Sequence, residues 1–349
     1  MEKITTVGLD LAKQVFQLHC ADERGHVVAR RAIRRERLLD SFAQLPRCLV
    51  GMEACSGAHH WARELSKLGH EVRIMAAGFV RPFRKSVSAK NDANDAEAIC
   101  TAVRQANMRF VSVKTIEQQA WLSLHRIRQG YMEERTATIN RLRGLLAEFG
   151  MVVPQSPEVL KRAWPAISAA VEQAVPGNLQ RCLNDLHRHI STLEQNIQTI
   201  DHELAQHAKN NQAARRLAAI TGIGPLTASA AVASISNARD YRNGRQFAAS
   251  LGIVPRQYSS GGKRRLGGIT HRGDAYLRTL LIQGARSALQ SALRRAPTKH
   301  DRLSAWIVQL AQRVGYHKTL VAIANKHARI IWVLLAHGQS FQRNAAIAA

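Results

Sequence analysis

The segment KITTVGLDLAKQVFQLHC, residues 3–20, contains two apolar runs separated by a short break. The first run is rich in β-forming residues and the second alternates between apolar and polar positions, so each predicts a β-strand. Asp10 lies within the first run, where a buried strand rarely accepts an unpaired charge. The segment therefore predicts a sheet whose first strand carries a carboxylate that needs a partner.

Strand and helix patterns alternate over the following residues. The apolar run RCLVGMEAC, residues 47–55, is typical of a buried strand, and EVRIMAA, residues 71–77, predicts another. Between them, residues 54–70 have helical spacing that ends at a glycine. This alternation predicts a mixed α/β domain over residues 1–112.

The strand patterns end near Thr115, and residues 117–150 predict one long helix. A linker containing prolines is expected over residues 153–165, and a second helix follows it. Its apolar residues are spaced alternately by four and three, which is typical of a coiled-coil seam; the alternative is a long helix packed on the core of its own domain. The seam consists of Leu179, Leu183, Leu186, Ile190, Leu193, Ile197, Ile200 and Leu204. We expect residues 113–212 to form a coiled-coil region that pairs within the chain or between subunits.

Residues 213–349 are predicted to form a third, mainly α domain. The segment LAAITGIGPLTASAAVASI, residues 217–235, places a Gly-Ile-Gly turn between two helical patterns. This arrangement resembles a helix–hairpin–helix, in which the backbone N–H groups of the turn can face a phosphate. A tight helix–helix turn without a ligand is the alternative.

The charge balance indicates a polyanionic partner. Lysine and arginine total 50 against 25 acidic residues, a formal charge of +25. Between Arg239 and Arg302 the chain has 14 basic and 3 acidic residues, so the excess is concentrated in the third domain. Nucleic acid is the expected partner. A membrane is not expected, because no run approaches the roughly 20 apolar residues that span a bilayer.

The N-terminus lacks the pattern of a signal peptide. The five cysteines are scattered without C-x-x-C pairs, which favours buried thiols in a reducing cytoplasm. We therefore expect a cytoplasmic protein.

Four acidic residues stand where a metal site would require them. Asp10 and Glu53 lie in or at the end of predicted strands, and Asp92 and Asp95 lie at the start of a predicted helix. Because positions i and i+3 share one helix face, the last two need a lysine, a metal ion or water between them. Four carboxylates without paired histidine or cysteine favour Mg²⁺, with Mn²⁺ as the alternative.

Each acid also has an ordinary structural interpretation. Asp92 could cap the helix, Asp95 could be a first-turn acid, and Glu53 could pair with an arginine. The metal site is preferred because all four residues occur together in a strongly basic chain.

The segment YSSGGKRR, residues 258–265, predicts a flexible turn that carries hydroxyl groups beside a basic cluster. A serine here could attack phosphorus if its proton is removed; a surface loop that binds DNA without reacting is the alternative. The basic residues expected to contact nucleic acid are Lys263, Arg264, Arg265, Arg272 and Arg278.

Four motifs resemble one known family. VGLDLAK, GMEACSGAHHWAR and AKNDANDAEAI occur in this order in the first third of the chain, and GIVPRQYSSGGKRRLGGITHRGDAYLR occurs near its C-terminal end. They resemble the Piv-type DNA recombinases, the insertion-sequence "one-ten" family of DEDD transposases. The motif blocks and the intervening seam cover nearly the whole chain.

The resemblance implies a fold and a set of site residues. The N-terminal domain is expected to have an RuvC-like, RNase H-type fold. Asp10, Glu53, Asp92 and Asp95 match the metal-binding tetrad of the family, and Ser260 matches its catalytic serine. Ser259 is the neighbouring alternative.

The resemblance also implies an activity and partners. We expect a transposase that cleaves and exchanges donor and target DNA strands through a covalent phosphoserine, guided by a structured non-coding bridge RNA. The family acts as a dimer or tetramer with a composite site between subunits. The main alternative is a metal-dependent, RuvC-like junction nuclease that does not rejoin strands. An ATP-binding protein of the actin and sugar-kinase type and a non-catalytic nucleic-acid-binding scaffold are further alternatives.

Overall fold

The structure is a computed structural model that describes residues 3–85, 91–153, 155–263, 265–296, 298 and 300–342. It divides into two compact units. The first contains the residues up to Ile116 together with Ser236–Arg242, and the second contains Glu117–Ile235 and the residues from Asn243 onward. Most of the predicted coiled-coil region and of the predicted C-terminal domain thus lies in one unit. The functions assigned to residues 1–112, 113–212 and 213–349 stay predictions.

The first unit is built on a mixed sheet. The strands are β1 (Thr6–Asp10), β2 (Val15–Ala21), β3 (Val27–Arg34), β4 (Leu49–Glu53), β5 (Glu71–Met75) and β6 (Phe110–Val111). They occur in the spatial order β3-β2-β1-β4-β5-β6. The strands β1, β2 and β3 are antiparallel neighbours, β1, β4 and β5 run parallel, and β6 is antiparallel to β5.

Helices cover this sheet and bury its apolar side chains. They are α1 (Leu38–Ala43), α2 (Ala58–Lys67), α3 (Ala77–Val80) and α4 (Asp92–Val103). Phe16 of β2 and Trp61 of α2 meet edge to face, with ring centroids 5.4 Å apart, within a core that continues through Val50 and Met52 of β4. The predicted mixed α/β organisation is therefore confirmed.

The strand β3 was not predicted from the sequence. Its sequence, VVARRAIR, places arginines among apolar residues, and most of its side chains are exposed or half-buried. It lies at an edge of the sheet, where charged side chains hinder pairing with another chain. An edge strand needs only a weak apolar alternation, which explains the miss.

The second unit is mostly helical. Its helices are α5 (Ile116–Ala147), α6 (Pro157–Ala174), α7 (Gly177–Asn210), α8 (Gln212–Ala218), α9 (Pro225–Ser234), α10 (Gly244–Ser250), α11 (Ala275–Arg294), α12 (Arg302–Val314) and α13 (Tyr316–His337). A short hairpin joins β7 (Pro255–Gln257) to β8 (Leu266–Ile269). The two long helices predicted from the sequence correspond to α5 and α7.

The linker predicted over residues 153–165 is wrong over most of its length. Helix α6 begins at Pro157, where the missing N–H of proline costs nothing, and continues through Pro165. A proline inside a helix normally removes one hydrogen bond and favours a break. Packing of Leu160 and Val171 into the core shared with α5 and α7 compensates for that loss.

The apolar seam of α7 packs inside the second unit. Leu183 and Ile190 share a core cluster with Ile139 and Leu142 of α5. Leu193 and Leu204 are also buried, at 2% and 1% exposure, in a single chain. The structure therefore matches a long helix packed on its own core, and it does not confirm a coiled coil between subunits.

A network of neutral polar groups joins four helices of this unit. His125 of α5 contacts the Tyr276 hydroxyl of α11 at 3.0 Å through Nδ1 and the Ser229 hydroxyl of α9 at 3.0 Å through Nε2. His207 of α7 contacts the same Ser229 hydroxyl at 2.8 Å through Nδ1. Burial, followed by the nearby charge of Arg128, lowers the pKa of His125 to about 4, so the network remains uncharged at neutral pH.

Helix α13 corrects the expectation that no apolar run is long enough to span a bilayer. Tyr316–His337 is 22 residues long and contains an 18-residue stretch with a mean hydropathy of 1.3, which meets that requirement by length and composition. Within the unit, however, 56% of that stretch is buried, and the helix packs on α10, α11 and α12. Its apolar character is therefore that of a core helix.

The cysteines also depart in part from expectation. Cys20, Cys48 and Cys100 are buried, whereas Cys55 and Cys182 are exposed.

Candidate active site

Two of the four predicted acids lie at the same edge of the sheet. The strands β1 and β4 are parallel neighbours, with Leu9 opposite Met52. Asp10 ends β1 and Glu53 ends β4, so both follow these paired residues at the carboxyl ends of the strands. Neighbouring parallel strands end at one edge, where the loops of α/β sheets form binding sites.

The other two acids are on the first turn of α4. The helix is capped by Asn91, whose side chain accepts a hydrogen bond of 2.8 Å from the Asn94 N–H, so Asp92 is not the cap. Asp95 is a first-turn acid, as its structural interpretation predicted, and only 7% of it is exposed. Asp92 is exposed.

A glycine allows this helix to approach the sheet. A Cβ atom on Gly8 of β1 would lie 2.1 Å from the Ala96 carbonyl oxygen and 2.5 Å from the Cys100 amide nitrogen. Both are backbone atoms of α4, so only glycine permits the observed contact. The close approach brings the first turn of α4 towards the strand that carries Asp10.

The other three acids act electrostatically on Asp10. Burial and, after it, the negative charges of Asp95, Asp92 and Glu53 together raise the pKa of Asp10 to about 6. Arg84 acts in the opposite direction. The structure thus brings together the predicted tetrad, which we call the carboxylate cluster.

Sequence reasoning offered an arginine as a partner of Glu53 but did not identify which one, nor its contact with Asp95. Arg84 forms an ion pair with Asp95, with Nε 2.9 Å from Oδ1, and its Nη2 lies 3.7 Å from Glu53 Oε1. The next residue, Lys85, pairs with Glu97 of α4. The basic segment RPFRK that precedes Asp92 was the available signal, because clustered acids need nearby positive charge.

The donor set of the cluster fits a hard divalent ion. All four side chains offer oxygen atoms, and a guanidinium already supplies positive charge among them. Among the described residues, no three histidine, cysteine or acidic side chains are arranged to ligate one ion as they stand. Binding a metal would therefore require the carboxylates to reorient.

Ser260 lies at the end of the β7–β8 hairpin in the second unit. It forms a bridge with Lys263, whose N–H donates a 3.1 Å hydrogen bond to the Ser260 carbonyl. The two residues between them, Gly261 and Gly262, have φ values of 56° and 76°, as a type I′ turn requires. The glycines thus make the tight turn that exposes Ser260.

The two neighbouring serines have different environments. The Ser259 hydroxyl accepts hydrogen bonds from Gln257 Nε2 at 3.0 Å and from the Arg265 N–H at 3.4 Å. These contacts tie Ser259 to the hairpin. For Ser260, the described residues provide only the backbone contact with Lys263.

The predicted basic contacts are arranged unequally. Lys263, Arg265 and Arg272 are exposed, and Arg264 lies outside the described residues. Arg278 donates to the carbonyl oxygens of Leu251 at 3.0 Å and Arg272 at 2.9 Å, so it braces the backbone near the hairpin. Contact of these residues with nucleic acid stays a prediction.

The Gly-Ile-Gly turn connects α8 to α9. Gly222 has φ +91°, and a Cβ there would lie 2.4 Å from the Gly284 carbonyl oxygen of α11. The turn therefore packs tightly on α11 through glycine. Phosphate binding by its N–H groups stays a prediction.

Comparisons with known proteins define the class of this chain. Residues 7–151 match a family of DEDD transposase domains named for insertion sequence IS110 and described as "Transposase". Residues 214–301 match the family described as "Transposase IS116/IS110/IS902 family". Both matched regions thus correspond to transposases.

Relatives of similar length narrow the assignment. The chain is 48% identical over 334 residues to a Pseudomonas aeruginosa protein described as "Probable family 20 transposase", covering 95% of this chain and 97% of the relative. It is 41% identical over 345 residues to the "Transposase for insertion sequence element IS1328" of Yersinia enterocolitica, covering 98% and 100%. The chain belongs to the IS116/IS110/IS902 family of insertion-sequence transposases.

Proposed function

We propose that this transposase cleaves and exchanges DNA strands with two groups of residues, the carboxylate cluster and the β7–β8 hairpin that carries Ser260, which we call the serine hairpin. Asp10, Glu53, Asp92 and Asp95 hold Mg²⁺, or Mn²⁺ in its place, and Ser260 is the nucleophile. The main support is the convergence of four carboxylates from β1, β4 and α4. An RuvC-like fold is compatible with the observed antiparallel meander that continues into parallel strands.

The mutual repulsion of the carboxylates favours the binding of a cation among them. The raised pKa of Asp10, about 6, reflects burial and three nearby negative charges. A divalent cation would relieve that repulsion and favour the charged form of Asp10, which would then bind the ion together with the other three carboxylates. When bound, the ion supplies activation of the attacking hydroxyl and stabilisation of the leaving oxygen.

Ser260 carries the covalent step. Its oxygen forms a bond to phosphorus while the bond from phosphorus to one deoxyribose oxygen breaks, and the serine proton is transferred so that the leaving hydroxyl is neutral. One phosphodiester is replaced by another, so the energy of the cut bond is retained. A free hydroxyl of a second strand then reverses the reaction and releases the serine without ATP.

The proposed partners follow from charge and from family resemblance. A formal charge of +25 and the exposed Lys263, Arg265 and Arg272 favour donor and target DNA as well as a bridge RNA. A dimer or tetramer is proposed from the resemblance alone, because the α7 seam is already buried within one chain. Action on bacterial DNA implies a place at the nucleoid in the cytoplasm.

A reaction with purified components tests this function. The protein is incubated with RNA transcribed from the flank of the element, both DNA substrates and Mg²⁺, and denaturing gels are used to detect DNA attached to protein. We expect the adduct with the unaltered chain and with Ser259→Ala, and a loss of about a thousandfold or more with Ser260→Ala or Asp95→Asn.

The same reaction separates the main alternative. The carboxylate cluster lies entirely within the first unit, so a nuclease could use it without the serine. Undiminished cleavage by Ser260→Ala, with no adduct from any variant, would support the junction nuclease. Normal recombination by Asp95→Asn would exclude both metal-dependent mechanisms.

A further inference from the structure

Arg84 contacts two acids of the carboxylate cluster. Its side chain is 26% exposed, and it contacts Asp95 and Glu53, whose side chains are 9% and 17% exposed. These acids come from two different elements, α4 and β4. One guanidinium therefore links a helix to a strand end within the cluster.

Partly buried carboxylates are costly without a nearby cation. In this structure the cation is Arg84, which also opposes the rise in the pKa of Asp10. A divalent ion would require the same Asp95 and Glu53 oxygens. Arginine and metal ion therefore compete for two of the four carboxylates.

We propose that Arg84 is a built-in counter-cation, which holds Asp95 and Glu53 in the metal-free protein and releases them when a divalent ion binds. This inference rests on the proposed metal-binding role of the cluster. It explains why no three acids of the described residues are arranged around one point: two of them face the arginine. Metal affinity is then set by an exchange of cations rather than by the carboxylates alone.

The exchange predicts that removing Arg84 affects the stability of the metal-free protein more than that of the metal-bound protein. The metal-free protein loses its compensating charge, so the repulsion among the carboxylates increases and stability falls. The metal-bound protein no longer uses the arginine, so its stability changes little. The affinity for a divalent ion must therefore increase.

Titration with Mn²⁺ alone, by calorimetry and by the shift in thermal midpoint, tests this exchange without DNA or turnover. We expect Arg84→Gln to bind Mn²⁺ roughly tenfold more tightly than the unaltered chain and to show a larger upward shift on Mn²⁺ addition. Arg81→Gln is the matched control, because it removes the same charge from an exposed side chain of the same segment. It should change the affinity by less than about twofold.

Arg84→Lys covers the case in which the glutamine variant folds poorly. Lysine keeps the charge but not the planar fork, so we expect a smaller increase in affinity in the same direction. If both Arg84 variants bind Mn²⁺ no more tightly than the unaltered chain, while Asp95→Asn binds it less tightly, the proposed role of Arg84 is wrong but the metal site stands. If Asp95→Asn binds Mn²⁺ as well as the unaltered chain does, the metal site itself is wrong and the exchange is wrong with it.

Discussion

The carboxylate cluster and the serine hairpin are built in opposite ways. The cluster depends on packing, since Gly8 must admit α4 against β1 before the acids can meet. The hairpin depends on local turn geometry, since a Cβ on Gly261 or Gly262 would meet no atom within 4 Å. The metal ligands are thus placed by the core, whereas the nucleophile is displayed by a turn that little else supports.

Both units bury histidines, including His19 and His70 in the first, but they differ in their other buried charged groups. The first buries acids and compensates them with the Arg84 guanidinium. The second buries neutral histidines, of which His327 is fully buried and has a pKa lowered to about 4 by burial. Acidification should therefore weaken the second unit through its histidines.

The largest effect that we expect is from Gly8→Ala. The added Cβ would overlap two backbone atoms of α4, so the helix must move away from the sheet. We expect a loss of about 3 kcal/mol or more in the free energy of unfolding of the first unit. Hydrogen exchange of the β1 and α4 amides measures it, because it reports on one unit separately.

Gly144→Ala is the matched control for that change. Gly144 lies in α5, and its added Cβ would meet nothing within 4 Å. Alanine favours a helix over glycine by about 0.5–1 kcal/mol, so this variant should be slightly stabilised. Equal stability of Gly8→Ala and the unaltered chain would show that the cluster does not depend on this close approach.

The next effect is the loss of stability in acid through His327. Its folded pKa, about 4, is below the ordinary value of 6.5, so the unfolded chain takes up the proton first as pH falls. The stability contribution is complete above pH 6.5 and declines towards pH 4. Between pH 7 and pH 5 the decline amounts to roughly 2 kcal/mol.

His327→Leu isolates this contribution. Within the described part of the chain, neither ring nitrogen of His327 has a hydrogen-bond partner, so leucine leaves no new unsatisfied group. Denaturant unfolding at pH 7 and pH 5 should show a smaller acid loss in the variant. An acid loss equal to that of the unaltered chain would indicate that His327 does not titrate as its burial requires.

A smaller effect is expected from the cap of α4. Asn91→Ala removes the 2.8 Å hydrogen bond to the Asn94 N–H, which should cost about 1 kcal/mol. Asn91→Asp keeps the acceptor and should cost less. Thermal unfolding that ranks both variants as equal to the unaltered chain would contradict the assigned cap.

An effect of similar size is expected from Gly261→Ala in the serine hairpin. Alanine at φ +56° is strained by about 1 kcal/mol, and because the site is open we expect no further loss from contacts in the unfolding of the second unit. Gly268→Ala is the control, because that glycine of β8 is equally open and its φ is not positive. A large loss of stability in Gly261→Ala alone would mean that the hairpin supports the unit more than its open surroundings indicate.

Predictions from local patterns succeeded where the local signal was strong. The strands β1, β2, β4 and β5 and the helices α5 and α7 follow from apolar periodicity. The strand β3 was missed because its edge position tolerates arginines, and α6 was taken for a linker because Pro165 normally breaks a helix. In both cases tertiary packing overrode a local preference.

For the candidate site, the sequence alone determined which acids exist, their order in the chain, the two acids on one helix turn, and the paired glycines after Ser260. These features depend on residues a few positions apart. Only the tertiary structure decided that Arg84 lies between Asp95 and Glu53, and that the α7 seam is filled within one chain. Contacts between residues far apart in sequence are set by how helices and sheets pack, which no local pattern specifies.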